Sequence, residues 1–83
     1  MAIRLHPHAE QRLIERGATF EEVRSAIEGG ERFTAKFGRT GFRRNIPYDG
    51  TWRGRQYRVK QVEVYAVREA QDWLVITVLT RYF

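Results

Sequence analysis

The amino-acid sequence predicts an α+β fold of the order ααββββ, in which two N-terminal helices pack on one face of a four-stranded antiparallel sheet. Up to Gly30, apolar residues recur at the spacing of a helix. Beyond Gly30 they alternate with polar residues and are often β-branched or aromatic, as in strands. The chain has 83 residues, which suits one hydrophobic core and is too short for two ordinary domains. We therefore predict a single domain over residues 1–83.

The first helix is predicted from Pro7 to Arg16. Proline is favoured in the first turn, where its missing N–H is not needed, and Gly17 suits the left-handed backbone that ends many helices. Ala9 and Leu13 lie four residues apart and form its apolar stripe. This stripe is expected to face the core.

The second helix is predicted to begin at a capping box. The Thr19 hydroxyl and the Glu22 carboxylate are spaced so that each accepts a hydrogen bond from the other's free backbone amide. Val23 and Ile27 continue an apolar stripe at helical spacing, and the glycine pair ending at Gly30 stops the helix. The two helices should form a short αα-hairpin.

Four strands are predicted after the helices, at residues 32–37, 42–48, 56–67 and 73–82. Pro47 cannot donate a ladder hydrogen bond, so it indicates an edge or the end of the second strand. A loop is expected over residues 49–54, which include two glycines. The last two strands are the richest in β-branched and aromatic residues, so they should be central.

The apolar pattern of the third strand changes parity. Tyr57 and Val59 occupy odd positions, whereas Val62, Val64 and Ala66 occupy even ones. Either a bulge lies near residues 60–61 or both faces of this strand are partly covered. We favour the bulge.

Several classes of protein are made improbable by the composition. The chain has no cysteine and only two histidines, so no disulfide, structural metal site or cofactor is predicted. The first residues lack the apolar run of a signal peptide, and no segment has the roughly 20 apolar residues needed to span a bilayer. We expect a cytosolic protein that does not enter a membrane.

Positive charge is concentrated in the middle of the chain. The sequence has 15 Lys and Arg residues against 10 Asp and Glu residues, a net charge of +5. Residues 32–60 contain nine of the basic residues and only Asp49 as an acid. The two flanking segments, taken together, therefore have more acidic than basic residues. Such asymmetry favours a phosphate-rich or acidic partner. The alternative is a charged sheet face that only maintains solubility and protects strand edges.

A row of basic residues is predicted along the first helix. His8, Arg12 and Arg16 are spaced four residues apart, so they share one helix face and could contact a common partner. In the alternative interpretation the row is structural, with Arg12 and Arg16 paired to a nearby glutamate such as Glu15, Glu22 or Glu63.

Two segments carry a resemblance to a known superfamily. The first combines the pattern His8-Ala9-x-x-Arg12-Leu13-x-x-Arg16-Gly17 with the capped helix at residues 20–27. The second combines residues 61–65 and 75–78 with the terminal Arg81-Tyr82-Phe83. In both, the chain resembles the small bacterial toxin-like proteins of the RelE/ParE/BrnT superfamily, and in particular an uncharacterised branch of that superfamily, a domain of unknown function.

The resemblance implies a RelE-like fold and a set of partners. Studied toxins of this superfamily cleave mRNA or inhibit a topoisomerase and are neutralised by an antitoxin encoded nearby. RNA or the ribosome, and an acidic antitoxin protein, are therefore the expected partners. RelE-like ribonucleases place functional groups on the sheet and near the C-terminus, where Arg81 and Tyr82 stand here.

RNA cleavage without a metal needs a proton acceptor for a 2′-hydroxyl, cations for the developing charge and an acid for the leaving oxygen. The candidate catalytic residues are His8, Arg43, Arg81 and Tyr82. The candidate nucleic-acid-binding residues are Arg12, Arg16, Arg44, Arg58, Lys60 and Tyr65. Each set has a structural alternative, because an Arg–Tyr pair at a strand end is commonly an exposed arginine beside a half-buried tyrosine. Trp52 and Trp73 are expected to anchor the core or a loop.

Three functions follow from these observations. The first is a metal-independent endoribonuclease of a toxin–antitoxin system, cleaving or binding RNA through a basic sheet surface. The second is a non-catalytic relative that binds nucleic acid or a protein through the same surface. The third is a toxin that acts on a protein target.

Overall fold

The computed structural model describes residues 1–83, which form two helices and five strands. Their order is β1 (Ile3–Leu5), α1 (Pro7–Glu15), α2 (Phe20–Gly29), β2 (Glu31–Thr34), β3 (Thr40–Trp52), β4 (Arg55–Glu69) and β5 (Asp72–Tyr82). One sheet contains all five strands in the order β1-β5-β4-β3-β2. Strands β2 to β5 pair antiparallel, and β1 pairs parallel with β5. The α+β class is confirmed, but the sheet is five-stranded and mixed rather than four-stranded and antiparallel.

The additional strand, β1, is three residues long. It was not predicted because three residues are too few to display an alternating pattern. Its pairing is set by a distant segment, since Ile3 lies opposite Trp73 and Leu5 lies opposite Val75. The Ala2 backbone N–H also donates to Asp72 Oδ1 at 2.9 Å. The N-terminus is therefore fixed along β5, and Ile3 and Leu5 pack against the core.

Local capping fixes both helices. His6 is the N-cap of α1, and its Nδ1 accepts a hydrogen bond of 3.1 Å from the His8 backbone N–H. Pro7 occupies the first turn, as predicted. In α2 the capping box is complete, because Thr19 N donates to Glu22 Oε1 at 2.9 Å and Glu22 N donates to Thr19 Oγ1 at 3.1 Å. Neither helix has the length and apolar composition required to cross a membrane.

Strand β3 is longer than predicted and continues to Trp52. It passes Pro47 because β2 pairs only with residues 40–43, so the later part of β3 has a neighbour on one side alone. A proline there removes no ladder hydrogen bond on the free side. The register with β4 shifts between Pro47 and Gly50, where Asp49 has a positive φ of 44°. The predicted loop over residues 49–54 is therefore reduced to the hairpin tip.

Strand β4 contains the predicted bulge, two residues before the predicted position. The backbone N–H groups of Arg58 and Val59 both donate to the carbonyl oxygen of Phe83, at 3.1 and 2.7 Å. Two residues opposing one is the pattern of a β-bulge, which reverses the parity of the side chains on either side. The Tyr57 ring consequently lies 5.7 Å from Tyr82.

The core lies between the two helices and one face of the sheet. Its fully buried side chains are small and β-branched, and they come from α2, β4 and β5: Val23, Val62, Val64, Val75 and Val78. Phe42 and Trp73 extend this core with an edge-to-face contact at 5.1 Å between ring centroids. Because both helices lie on this side, no helix covers the opposite face of the sheet.

Candidate nucleic-acid interface

The side chains of β2 to β5 that point away from the helices form a surface that we call the open face. Their positions alternate with those of the buried core residues. The strand register arranges them in three rows, namely Phe33-Gly41-Tyr65-Thr77, Glu31-Arg43-Glu63-Leu79 and Asn45-Gln61-Arg81. The open face thus has a polar and charged centre beside an aromatic row.

Glu63 lies at the centre of the open face and is only 3% exposed. Its Oε2 accepts a hydrogen bond from Arg43 Nε at 3.0 Å and another from Arg81 Nη1 at 3.1 Å. Its Oε1 accepts a hydrogen bond from the Tyr65 hydroxyl. A carboxylate on the middle strand therefore joins side chains from β3, β4 and β5.

These contacts change the acidities of the groups involved. Burial by itself would raise the pKa of Glu63, but the hydrogen bonds from Tyr65, Arg43 and Arg81 outweigh burial and hold the pKa below its ordinary value. The hydrogen bond to Glu63, together with burial, raises the pKa of Tyr65. The same carboxylate raises the pKa of Arg43. Glu63 is therefore an anion and Tyr65 a neutral phenol at pH 7.

Arg43 is oriented by contacts on three sides. Besides Glu63, its Nη1 donates to Glu31 Oε1 at 3.0 Å, and its guanidinium lies 4.7 Å from the centre of the Phe33 ring. Phe33 in turn contacts Tyr65 edge to face at 6.0 Å. This contact crosses β3 at Gly41, where a Cβ atom would lie 2.3 Å from Phe33 Cε2. A glycine at position 41 is what allows the Phe33 ring to lie across the strand.

Gln61 connects Arg81 to β3. Its Oε1 accepts a hydrogen bond from Arg81 Nη1 at 3.3 Å, and its Nε2 donates to Asn45 Oδ1 at 2.9 Å. Arg81 nevertheless keeps its Nε and Nη2 hydrogens without a protein acceptor, and 58% of its side chain is exposed. These donors are available for a planar or tetrahedral anion.

The structure brings three of the predicted site residues together, namely Arg43, Arg81 and Tyr65, and all three meet at Glu63. From the sequence, Glu63 was expected only as a possible partner for Arg12 or Arg16. A lone acid within an apolar strand was the available signal. Its importance depends on the register, which places an arginine on each side of it.

Three other predicted site residues, Tyr82, Lys60 and Arg16, lie on the opposite, helix-covered face. The Lys60 ammonium is buried and donates to the Gly17 carbonyl and to Glu22 Oε1, the latter at 2.8 Å. The Tyr82 hydroxyl donates to the Arg16 carbonyl at 2.9 Å. These groups attach the end of α1 and the α1–α2 connection to the sheet.

The environment of Tyr82 shifts the pKa of its own hydroxyl. Burial raises the pKa of Tyr82, although the charge of nearby Lys60 acts in the opposite direction. Trp52 stacks on the Tyr82 ring at 4.9 Å, close to Gly17, and Trp73 is buried in the core. Both tryptophans thus have the anchoring roles that were expected.

Neither the predicted row on α1 nor the remaining predicted residues converge on one site. His8 is exposed on α1, and Arg12 pairs with Glu15 at 2.7 Å. Arg16, the third member of the predicted row, donates instead to the Val78 carbonyl at 2.7 Å. Arg44 donates to Ser25 on α2, and Arg58 is exposed at the bulge; both lie apart from Glu63. The four predicted catalytic residues are thus divided, with Arg43 and Arg81 together and His8 and Tyr82 elsewhere.

Most cations of the basic segment have no carboxylate partner. Of the nine in residues 32–60, only Arg43 and Lys60 form an ion pair. The other seven have no carboxylate oxygen within 4.0 Å: Arg32, Lys36, Arg39, Arg44, Arg53, Arg55 and Arg58. This surplus charge is free to attract an anionic partner.

Comparison of the chain with protein-family models, with curated proteins and with solved structures gave no match.

Proposed function

We propose that the protein binds single-stranded RNA through the open face. The observation that carries the proposal is the pair of guanidinium groups, Arg43 and Arg81, fixed on either side of buried Glu63 on an uncovered sheet. Each guanidinium retains hydrogen-bond donors that suit phosphate oxygens. A fixed cation loses less conformational freedom on binding than a mobile one does.

The aromatic row favours a single strand over a duplex. Phe33 and Tyr65 lie next to the two guanidiniums, and unpaired bases stack on such rings whereas paired bases in a helix cannot. The unpaired cations of residues 32–60 add a long-range attraction for the phosphate backbone. The resemblance to the RelE/ParE/BrnT superfamily supports RNA as the nucleic acid.

Cleavage of the bound RNA is a second candidate, favoured by the position of Glu63 between two guanidiniums and a phenol. The carboxylate would take the proton of a 2′-hydroxyl, whose oxygen attacks phosphorus as the bond to the 5′-oxygen breaks. Tyr65 would supply the proton to that leaving oxygen. Arg43 and Arg81 would stabilise the charge on the phosphate.

For this reaction the phosphate must first replace Glu63 as the partner of a guanidinium. At present three donors occupy the carboxylate, and they make it a weak base. A phosphate that draws Arg81 away would remove one of the two donors to Oε2, leaving Arg43, and would raise the pKa of Glu63. Cleavage therefore requires a rearrangement that binding does not, and binding is the function that the geometry supports best.

The binding proposal is tested by fluorescence anisotropy with a labelled single-stranded RNA of about ten nucleotides at several salt concentrations. We expect log Kd to rise linearly with log salt, and Arg81→Gln to reduce the slope by about 0.7, the value for one phosphate contact to a single strand. In this variant the Glu63 carboxylate keeps Arg43 and Tyr65 as hydrogen-bond donors. Arg24→Gln on α2 is the matched control and should leave the slope unchanged.

Binding that is absent, or independent of salt, would overturn the proposal. Cleavage is followed on the same RNA by gel electrophoresis in the presence of EDTA. Products that form with the wild type and disappear with Glu63→Gln, while that variant still binds RNA, would establish the second candidate. RNA that stays intact, with and without translating ribosomes, would exclude it.

A further inference from the structure

A cleft of about 490 Å³ opens at the edge of the open face, between the β2–β3 turn and strands β4 and β5. Its floor includes Tyr65 and Leu79, and one wall is formed by Phe33. The turn at residues 35–39 forms the other side. The cleft adjoins the Glu63 cluster through Tyr65.

Phe37, in the β2–β3 turn, has two unfavourable properties that packing does not explain. Its side chain is 85% exposed, the highest value among the large apolar residues. Its φ of 61° lies in the left-handed region, which bulky side chains rarely adopt. Backbone strain of this kind is typical of functional positions. The turn therefore presents an aromatic ring to solvent at the mouth of the cleft.

The rim of the cleft is basic. Lys36 and Arg39 line it, and neither has a carboxylate within 4.0 Å. The Arg39 guanidinium lies 5.8 Å from the centre of the Phe37 ring, so a cation and an aromatic face are presented together. The turn is closed by a backbone hydrogen bond of 3.0 Å from Ala35 N to Arg39 O, which fixes these side chains relative to β2.

We propose that this cleft receives one unstacked nucleobase of the bound RNA strand. Phe37 stacks on the base, Tyr65 and Leu79 contact its edge, and Lys36 and Arg39 bind the phosphates on either side. The two unpaired cations distinguish this ligand from an apolar peptide side chain, which would leave them without partners. The inference rests on the proposed function, because it assigns a base-binding subsite to the same surface.

The test uses single-stranded RNA that carries 2-aminopurine at one position, with that position moved along the strand in successive oligonucleotides. For the wild type, we expect one position at which binding quenches the fluorescence most strongly. Replacing that nucleotide by an abasic one should weaken binding about tenfold, as for the loss of one aromatic–base stack.

Phe37→Asn should remove the quenching and lower the affinity about tenfold without lowering Tm, since asparagine tolerates left-handed backbone better than phenylalanine. Phe37→Trp, which keeps an aromatic ring at this position, should retain both the quenching and the affinity of the wild type. Ile14→Ala is the control, because Ile14 is also a highly exposed apolar residue (78%) but lies on α1. A Lys36→Gln/Arg39→Gln variant should reduce the salt slope while leaving the quenching position unchanged.

The outcomes separate this inference from the proposed function. RNA binding that keeps its affinity and quenching in Phe37→Asn overturns the base subsite and leaves the proposed function intact. If an abasic nucleotide does not weaken wild-type binding at any position of the strand, the base subsite is likewise overturned and the proposed function is left intact. Failure of the wild type to bind any RNA overturns both.

Discussion

Arg43 on β3 and Arg81 on β5 are joined through a single atom, since both guanidinium groups donate to Oε2 of Glu63, at 3.0 and 3.1 Å. The two arginines are on strands that do not pair with each other, and β4 lies between them. A buried carboxylate on the middle strand thus fixes the separation of two cations on the surface. This arrangement has consequences for stability as well as for binding.

The first prediction concerns acid stability. Because the folded state lowers the pKa of Glu63, the folded protein binds that proton more weakly than the unfolded chain does. The stabilisation is therefore complete above the unfolded value of about 4.3 and is lost as the pH falls through the folded value. Chemical denaturation from pH 7 down to pH 2.5 should show this loss.

Glu63→Gln is the matched variant for this experiment. At pH 7 its free energy of unfolding should be about 2 kcal/mol lower than that of the wild type, because hydrogen bonds to a charged carboxylate are lost. The difference from the wild type should shrink as the pH falls below about 4. A difference that stays constant with pH would show that Glu63 does not stabilise the folded state through its charge.

The second prediction concerns the buried ammonium of Lys60. Lys60→Met keeps the aliphatic length but leaves the Gly17 carbonyl and part of the Glu22 carboxylate without their donor. We expect a loss of about 2 kcal/mol, measured by thermal or urea unfolding. Lys36→Met carries the same change on an exposed lysine without an ion pair and should stay within about 0.5 kcal/mol of the wild type. Equal effects would contradict the attachment role of Lys60.

The third prediction distinguishes the two faces of the sheet. Tyr82→Phe removes the hydrogen bond to the Arg16 carbonyl and should lower the free energy of unfolding by about 1 kcal/mol. RNA affinity should not change, because Tyr82 lies on the helix-covered face. A large loss of RNA binding or cleavage in a folded Tyr82→Phe variant would restore Tyr82 to the site.

The same variant has an expected signature at high pH. Burial raises the pKa of Tyr82, so the stabilisation that depends on the neutral phenol is complete below the unfolded value of about 10 and is lost as the pH rises through the folded value. The stability advantage of the wild type over Tyr82→Phe should therefore narrow above about pH 10. An advantage that widens there would contradict the direction of the shift.

The fourth prediction concerns the close approach at Gly41. Gly41→Ala would place a methyl group 2.3 Å from Phe33 Cε2, so the Phe33 ring must leave its contact with Tyr65. We expect a loss of about 1 kcal/mol and weaker RNA binding. Combining Gly41→Ala with Phe33→Ala should cost less than the sum of the two single changes, as a double-mutant cycle would show. Strict additivity would mean that the ring does not constrain position 41.

Both helices could be predicted from the sequence because their signals are local. The Thr19–Glu22 capping box spans one turn, and Pro7 and Gly17 mark the first helix within ten residues of each other. The long strands were also evident, since β4 and β5 contain enough alternating residues to define a period. A bulge in the first part of β4 was detectable from the change of parity that it causes.

The site depends on contacts that no local pattern specifies. Arg43, Glu63 and Arg81 become neighbours only through the register of three strands, and the bulges in those strands decide which face each side chain occupies. Tyr82 follows Arg81 directly, yet the alternation of a strand sends the two side chains to opposite faces. A list of basic and aromatic residues therefore could not separate the open face from the helix attachment.

By itself, the sequence determined the α+β class, the capped helix pair and the concentration of positive charge in residues 32–60. The tertiary structure alone decided the parallel strand β1 and the assembly of the Arg43–Glu63–Arg81 cluster. Helix caps and apolar periods act within a few residues of each other. Strand register joins residues up to 70 positions apart, such as Ile3 and Trp73, and is set by packing of the whole sheet against the helices.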